Sequence, residues 1–272
     1  MNNREIRRRI ASVKETVKIT RAMYSISVAK MTRAKAVLPP AERFYAESLR
    51  LLKEVSSYPS IYFTERGKRA AFIVIGGDKG LCGDYNQRLF ERACEALSSR
   101  EERYLFIVGG VARDMLSKAG FPPDVEFLHT AENPSPEASY SMASDLMNLY
   151  CDDMLDEVFL VYSRVEGDHS LVPVERLLPF AEQGGIRYTD PVSSETTDRA
   201  VYEYLAASIY RALISSSLAE HFARVLAMPQ ATENGEEMIA SLTSQYNKAR
   251  QESITRALAD VGSRDSGYDE RV

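Results

Sequence analysis

IRRRIASVKETVKITRAMYSISVAKMTRAKAVL, running from Ile6 to Leu38, decides how the chain must be built. Ile6, Ile10, Val13, Val17, Thr20, Tyr24, Ser27, Met31, Ala34 and Leu38 follow alternating steps of four and three. That spacing keeps one face of an α-helix turned towards a partner helix. The seam is weak at Thr20, Tyr24 and Ser27, where a self-sufficient dimer would carry Leu or Ile. A helix of about 33 residues spans about 50 Å, and one with an apolar stripe needs something to cover it. Pro39 and Pro40 predict an interruption, with Ala41 to Val55 resuming as helix after a kink.

The partner is expected at the other end of the chain. Residues Asp198 to Val261 read as helix again, with Ile239, Leu242, Tyr246, Ala249, Ile254, Ala257 and Val261 near the relaxed helical period rather than a strict heptad. Pro229 predicts a kink or short break, and the polar tail from Gly262 to Val272 a frayed end.

Between the helical ends the period changes. Ala70 to Ile75 is a continuous β-rich run closed by Gly76-Gly77, and Tyr104 to Val108 repeats the signal before Gly109-Gly110. Val125 to Leu128 is a third short strand. Val158 to Arg164 and Leu171 to Leu178 form a hairpin across Val165 to Ser170. Helices are expected over Asp84 to Leu97, up to Lys118, and from Ser135 to Met154 behind a Ser-Pro-Glu start. Strands alternating with helices predict an α/β, Rossmann-like layer with a mostly parallel sheet and an added hairpin. The fold expected is α/β: a long antiparallel coiled coil of the N- and C-terminal helices (1–58 and 198–272) with an inserted α/β domain (59–197).

The net charge of -5 over 272 residues hides a segregation. From Arg4 to Lys35 ten basic residues face only Glu5 and Glu15, a net +8; the remaining 24 basic and 37 acidic residues leave -13. A basic arm on an acidic body predicts an interaction element. With 44% hydrophobic and 27% charged residues, neither a disordered nor a fibrous chain is expected. No apolar run approaches the roughly 18 residues that span a bilayer, the charged start does not read as a secretory signal, and three unpaired-looking cysteines (Cys82, Cys94, Cys151) suit a reducing compartment.

Chemistry-bearing motifs are few. Gly76 to Gly83 (GGDKGLCG) links a strand to a helix, where glycine-rich loops can cradle phosphate, but it matches neither G-x-x-x-x-G-K-[ST] nor G-x-G-x-x-G. His129, His169 and His221 are scattered without metal-ligand spacing, and Cys82 reads as a small packing residue rather than a reactive thiol. No nucleophile, base and orienting acid emerge together, so no catalytic residue, cofactor or metal is expected. The bottom-up reading is a mechanical or scaffolding protein. Two other readings stand beside it: a coiled-coil scaffold or nucleic-acid-binding adaptor using the basic helix, and an α/β enzyme binding phosphate at Gly76 to Gly83.

Three segments, in order, resemble the gamma subunit of the rotary F-type ATP synthase. They are Ile6 to Lys14 running on through Thr16, Lys18 to Met23 and Val28 to Met31; Asp78 to Gly83 with Asn86; and Arg224 with Ala227-Met228, Ala231-Thr232, Asn234, Leu242, Tyr246 to Gln251 and Ile254-Thr255. The resemblance implies a central-stalk rotor subunit, not itself an enzyme, whose terminal helices form a shaft inside a head of three alpha and three beta subunits. The inserted domain would be a foot on the epsilon subunit and the membrane rotor ring, with no nucleic-acid partner. It implies contacts with the head at Lys18, Arg21, Met23, Arg224, Arg250, Gln251 and Thr255, and with the ring and epsilon at Lys79, Gly80, Leu81, Cys82 and Gly83. It also implies peripheral association with the cytoplasmic face of a bacterial inner membrane. Departures are Lys79 where Arg is usual, Ala257 where Glu is frequent, Pro229, and the charged tail, which also suits a divergent or alternative F-type form.

Overall fold

The computed structural model describes residues 3–56, 59–127, 133–181 and 193–265, with side chains described to residue 256. The chain forms two compact units, Met1–Ile26 with Ala227–Val272, and Ser27–Leu226.

In the first unit, helix α1 (Asn3–Val55) and helix α5 (Ser194–Asp265) lie side by side. Gly235 approaches so closely that a Cβ there would sit 2.5 Å from Val17 Cγ2, while the Thr20 and Thr232 hydroxyls are hydrogen-bonded at 2.7 Å. As α1 advances from 17 to 20, α5 retreats from 235 to 232, so the pair is antiparallel as expected. Ile6, Val17 and Thr20 are buried on α1, and Met228 and Leu242 on α5.

Three details of the helices differ from expectation. First, α1 runs through Pro39 and Pro40, and α5 through Pro229. An interior proline costs about 3 kcal/mol, but all three rings are exposed, as are Lys35 and Ala36, the residues whose carbonyls Pro39 and Pro40 leave free for water. The seam meanwhile continues past them in unbroken 4-3 steps, through Ala34, Leu38, Ala41, Tyr45, Ser48, Leu52 and Val55, and burial there holds the helix.

Second, the half-buried residue between Thr20 and Ser27 is Met23, while Tyr24 is 40% exposed. Third, the α5 seam is a strict heptad after all: Met228, Thr232, Gly235, Ile239, Leu242, Tyr246 and Ala249 are its buried or half-buried positions, and Ile254 is 49% exposed. Thr232 and Gly235 do not look like core in a sequence, which is why the pattern alone hides the register. Helix α5 also continues through Gly262 to Asp265, whereas the side chains of Ala257 and Val261 and the rest of the tail lie outside the described residues.

The second unit holds the α/β layer. Strands β1 (Ala70–Ile75), β2 (Arg103–Val108), β3 (Val125–Phe127), β4 (Glu157–Val161) and β7 (Val174–Leu178) form one sheet in the order β3-β2-β1-β4-β7. The first four are parallel and β7 is antiparallel to β4. The connecting hairpin carries its own ladder, β5 (Arg164–Glu166) with β6 (His169–Leu171). Leu128, expected to end β3, and His129 lie outside the described residues.

Helices cover both faces, which is why all six β1 residues are buried and apolar. Phe72, Val74, Leu105 and Ile107 meet α2 (Tyr85–Ser98) and α3 (Gly110–Lys118) through Leu89, Ala93, Leu97 and Leu116. Ile73, Ile75, Phe106 and Leu160 share the opposite core with α4 (Pro136–Cys151), with Leu205, Ile209 and Leu213 of α5, and with Leu52 and Val55 of α1. No helix among the described residues is long and apolar enough to cross a membrane.

Candidate functional site

The loop from Gly76 to Gly83 leaves the carboxyl end of β1, and its first half is committed to the fold. Gly76 N donates to Val108 O at 2.8 Å, and Gly77 O accepts from Val111 N at 3.1 Å. A Cβ on Gly109, whose φ is +103°, would lie 2.4 Å from Gly76 O, so β1 and β2 end in contact through two glycines. Asp78 accepts from Gly110 N at 3.0 Å. That carboxylate occupies the N-terminus of α3, the place where a phosphate would be drawn.

The second half of the loop is held from below by Arg224. This side chain is only 4% exposed; it pairs with Glu220 at 2.6 Å and donates to Gly80 O at 3.1 Å and Lys79 O at 3.5 Å. Asn86 Nδ2 reaches Lys79 O at 3.4 Å and Cys82 Sγ at 3.1 Å. Cys82 is buried, and burial pushes its thiol up despite the Arg224 charge, so it packs rather than reacts. Lys79, Gly80, Leu81 and Gly83 remain exposed on top, with Leu81 at φ +61° and 57% exposed.

Open sheets of this kind bind ligands at the carboxyl ends of the strands where the strand order reverses. Here that point lies between β1 and β4, and α5 fills it. Ser216 Oγ accepts from Ser163 N at 3.1 Å and donates to Ile75 O at 3.5 Å, and Tyr85 OH donates to Ser216 O at 3.4 Å; Ser163, Tyr85 and Ser216 are all buried. The crevice an enzyme would use is thus occupied by the chain itself, which removes the physical basis of the phosphate-binding reading.

In the first unit, the other expected contact residues lie at the surface or half-buried. Lys18 pairs with Glu15 at 2.8 Å, Arg21 with Glu236 of α5, and Met23 is half-buried. Arg250, Gln251 and Thr255 are exposed along α5, and the Thr255 hydroxyl bonds back to Gln251 O at 3.0 Å. Arg224, also expected among the head contacts, lies in the second unit, where it is hydrogen-bonded to Lys79 O and Gly80 O. Asn86, named with the loop in the sequence but given no role there, is one of its supports, and Glu220 was missed. The Glu220/Arg224 spacing of four on one helix was the available signal for the latter.

The ATP synthase family pattern matches residues 2–263. Over 290 residues the chain is 34% identical to the ATP synthase gamma chain of Caldanaerobacter subterraneus, covering 96% of this chain and 98% of that one. The chain belongs to the ATP synthase gamma-chain family. A second family member, from Moorella thermoacetica, is 35% identical over 273 residues, covering 95% and 96% of the two chains. Among solved structures, the gamma-family fold recurs in the rotor of the Euglena gracilis mitochondrial ATP synthase, with a TM-score of 0.67, 17% identity, and coverage of 93% of this chain and 98% of that one. It recurs in the central stalk of the Tetrahymena thermophila enzyme with a TM-score of 0.61 and 23% identity, covering 78% and 99%. A gamma chain is a non-catalytic subunit of a membrane-associated synthase, in keeping with a strand-end crevice filled by the chain's own helix.

Proposed function

We propose that this gamma-family chain is the central-stalk rotor of an F-type ATP synthase, coupling ion flow through the membrane ring to ATP synthesis or hydrolysis in a head of three alpha and three beta subunits. The observation that carries this reading is the antiparallel α1–α5 pair, closed at Val17 against Gly235 and bearing exposed basic residues on α1. A stiff pair with different side chains on each side biases each catalytic site differently as it turns, because only unequal contacts with two conformations shift their balance. Residues 1–58 and 198–272 serve as the shaft. Residues 59–197 serve as the foot on epsilon and the ring, peripheral to the cytoplasmic face of a bacterial inner membrane.

Lys18, Arg21, Met23, Arg250, Gln251 and Thr255 are the shaft's contacts with the head. Arg224 and Lys79 to Gly83 are one hydrogen-bonded assembly, which supports a single partner for both rather than the head for one and the ring for the other. Arg224 is a positioning residue beneath the loop. It lies within residues 198–272, the expected shaft, and this supports the head as the common partner.

Isolation from membranes tests the reading: co-purification with alpha and beta subunits in a ratio of about three to three to one is expected, and nucleic-acid binding without them would sink it. Met23→Lys places a charge on a half-buried shaft position. The expected result is an assembled complex whose hydrolysis drives less ion transport per ATP; unchanged coupling overturns the assignment of Met23.

A further inference from the structure

Within the second unit, α1, α5 and the segment before α4 enclose a cleft of about 240 Å³ that the rotor reading leaves without a role. Its lining divides by chemistry. Lys30 and Arg33 stand one turn apart on α1, facing Tyr210, Ser217 and His221 of α5, with Asn133 at the rim. Ala34, Val37, Pro134 and Ile214 supply the apolar part.

The local acids are placed unevenly. Glu220 lies near Lys30, and Glu137 near Tyr210. Arg33 has no acidic partner among the described residues. Its guanidinium is a planar fork suited to an oxyanion. The Ser217 hydroxyl, like those of Ser27, Ser48 and Ser215 in the same helices, makes no hydrogen bond with a described residue, and unlike theirs it lines the cleft. The Tyr210 hydroxyl likewise makes no hydrogen bond with a described residue. Two cations, two uncommitted hydroxyls and an amide beside an apolar wall are the lining of a small-molecule site.

We propose that this cleft binds a small phosphate compound, with the phosphate on Arg33, Lys30 and the Ser217 and Tyr210 hydroxyls and its apolar body against Val37, Pro134 and Ile214. A ligand held there bridges α1 and α5, and stabilises the chain in proportion to its saturation.

Calorimetric titration of the full chain with inorganic phosphate and with phenyl phosphate tests this, with folding of every variant checked by circular dichroism. Saturable binding with a dissociation constant of about 1 mM or tighter is expected for phenyl phosphate, with inorganic phosphate at least several-fold weaker for want of the apolar contact. Arg33→Gln is expected to weaken phenyl phosphate about tenfold, and Lys35→Gln, an exposed cation on the same helix outside the cleft, to leave it unchanged. Equal losses in the two variants would mean attraction to the basic helix alone and would overturn the site. So would the absence of saturation in the parent chain. Ser217→Ala, which keeps the charge and suits a helix, should weaken binding by a smaller factor; no change there, with Arg33→Gln also silent, would likewise overturn the site.

Discussion

Arg224 and Gly80, 144 positions apart in the chain, are joined by a 3.1 Å hydrogen bond from a buried guanidinium to a loop carbonyl. The same guanidinium answers Glu220, whose carboxyl is pushed up from its ordinary range by burial, with Arg224 opposing that shift. Removing one member of such a pair leaves a charge buried alone, a loss of about 3–5 kcal/mol. Arg224→Ala is therefore expected to lower thermal stability and to speed amide exchange across Lys79 to Gly83. The added change Glu220→Gln should recover part of the stability while exchange in the loop stays fast, because Gly80 and Lys79 still lack their donor. Slow exchange in the single variant would show that the loop holds itself.

Gly235 gives a test of the helix pair. In an open helix, Gly to Ala is worth about 1 kcal/mol of stabilisation. At Gly235 the new Cβ meets Val17 Cγ2 at 2.5 Å, and overpacking costs about 1–3 kcal/mol. Gly235→Ala should therefore destabilise, and Val17→Ala with Gly235→Ala should be better than the sum of the singles. Denaturant melts of the four proteins in a double-mutant cycle decide it; strict additivity would mean the helices do not meet there.

Asp156 links folding to acid. Its carboxyl is held below the usual carboxylate range chiefly by the hydrogen bond from Arg69, at 2.9 Å, against an opposing effect of burial. Since the folded value lies below the unfolded one, the contribution is fully present above about pH 4 and disappears as pH falls through the folded value. Asp156→Asn should thus be less stable than the parent at pH 7, with the gap closing towards pH 3. A gap independent of pH would assign the effect to shape rather than charge.

The cysteines should differ in reactivity. Cys82 is buried with its thiol pushed up by desolvation, whereas Cys151 is exposed. Alkylation at pH 8 followed by peptide mass analysis should mark Cys151 within minutes and Cys82 only on unfolding. Early labelling of Cys82 would mean the loop opens readily.

The sequence reading is most accurate where a residue's pattern and its burial have the same cause. Ala70 to Ile75 is covered by helices on both faces, and an unbroken apolar run follows directly from that. It goes astray where burial is relative to a partner. Thr232 and Gly235 belong to the seam because Thr20 and Val17 are complementary to them, and neither residue type carries that information alone. Pro39 and Pro40 mark a stop only if the helix has nothing else to hold it, and the seam through Ala41 and Leu52 does hold it. Arg224 reads as surface because most arginines are; its burial depends on carbonyls of a loop far away in sequence.

Ser216 carries a consequence for how force moves through the second unit. It fastens α5 to the backbone ends of two neighbouring strands, next to Ile75 on one side and Ser163 on the other. A twist applied to α5 there is delivered into the middle of the sheet, through short polar links that resist sliding, rather than into a compliant turn at its edge. In many relatives of this sheet architecture that spot is an address for substrates. In this chain Ser216 of α5 fills it, a joint between helix and sheet rather than an open site.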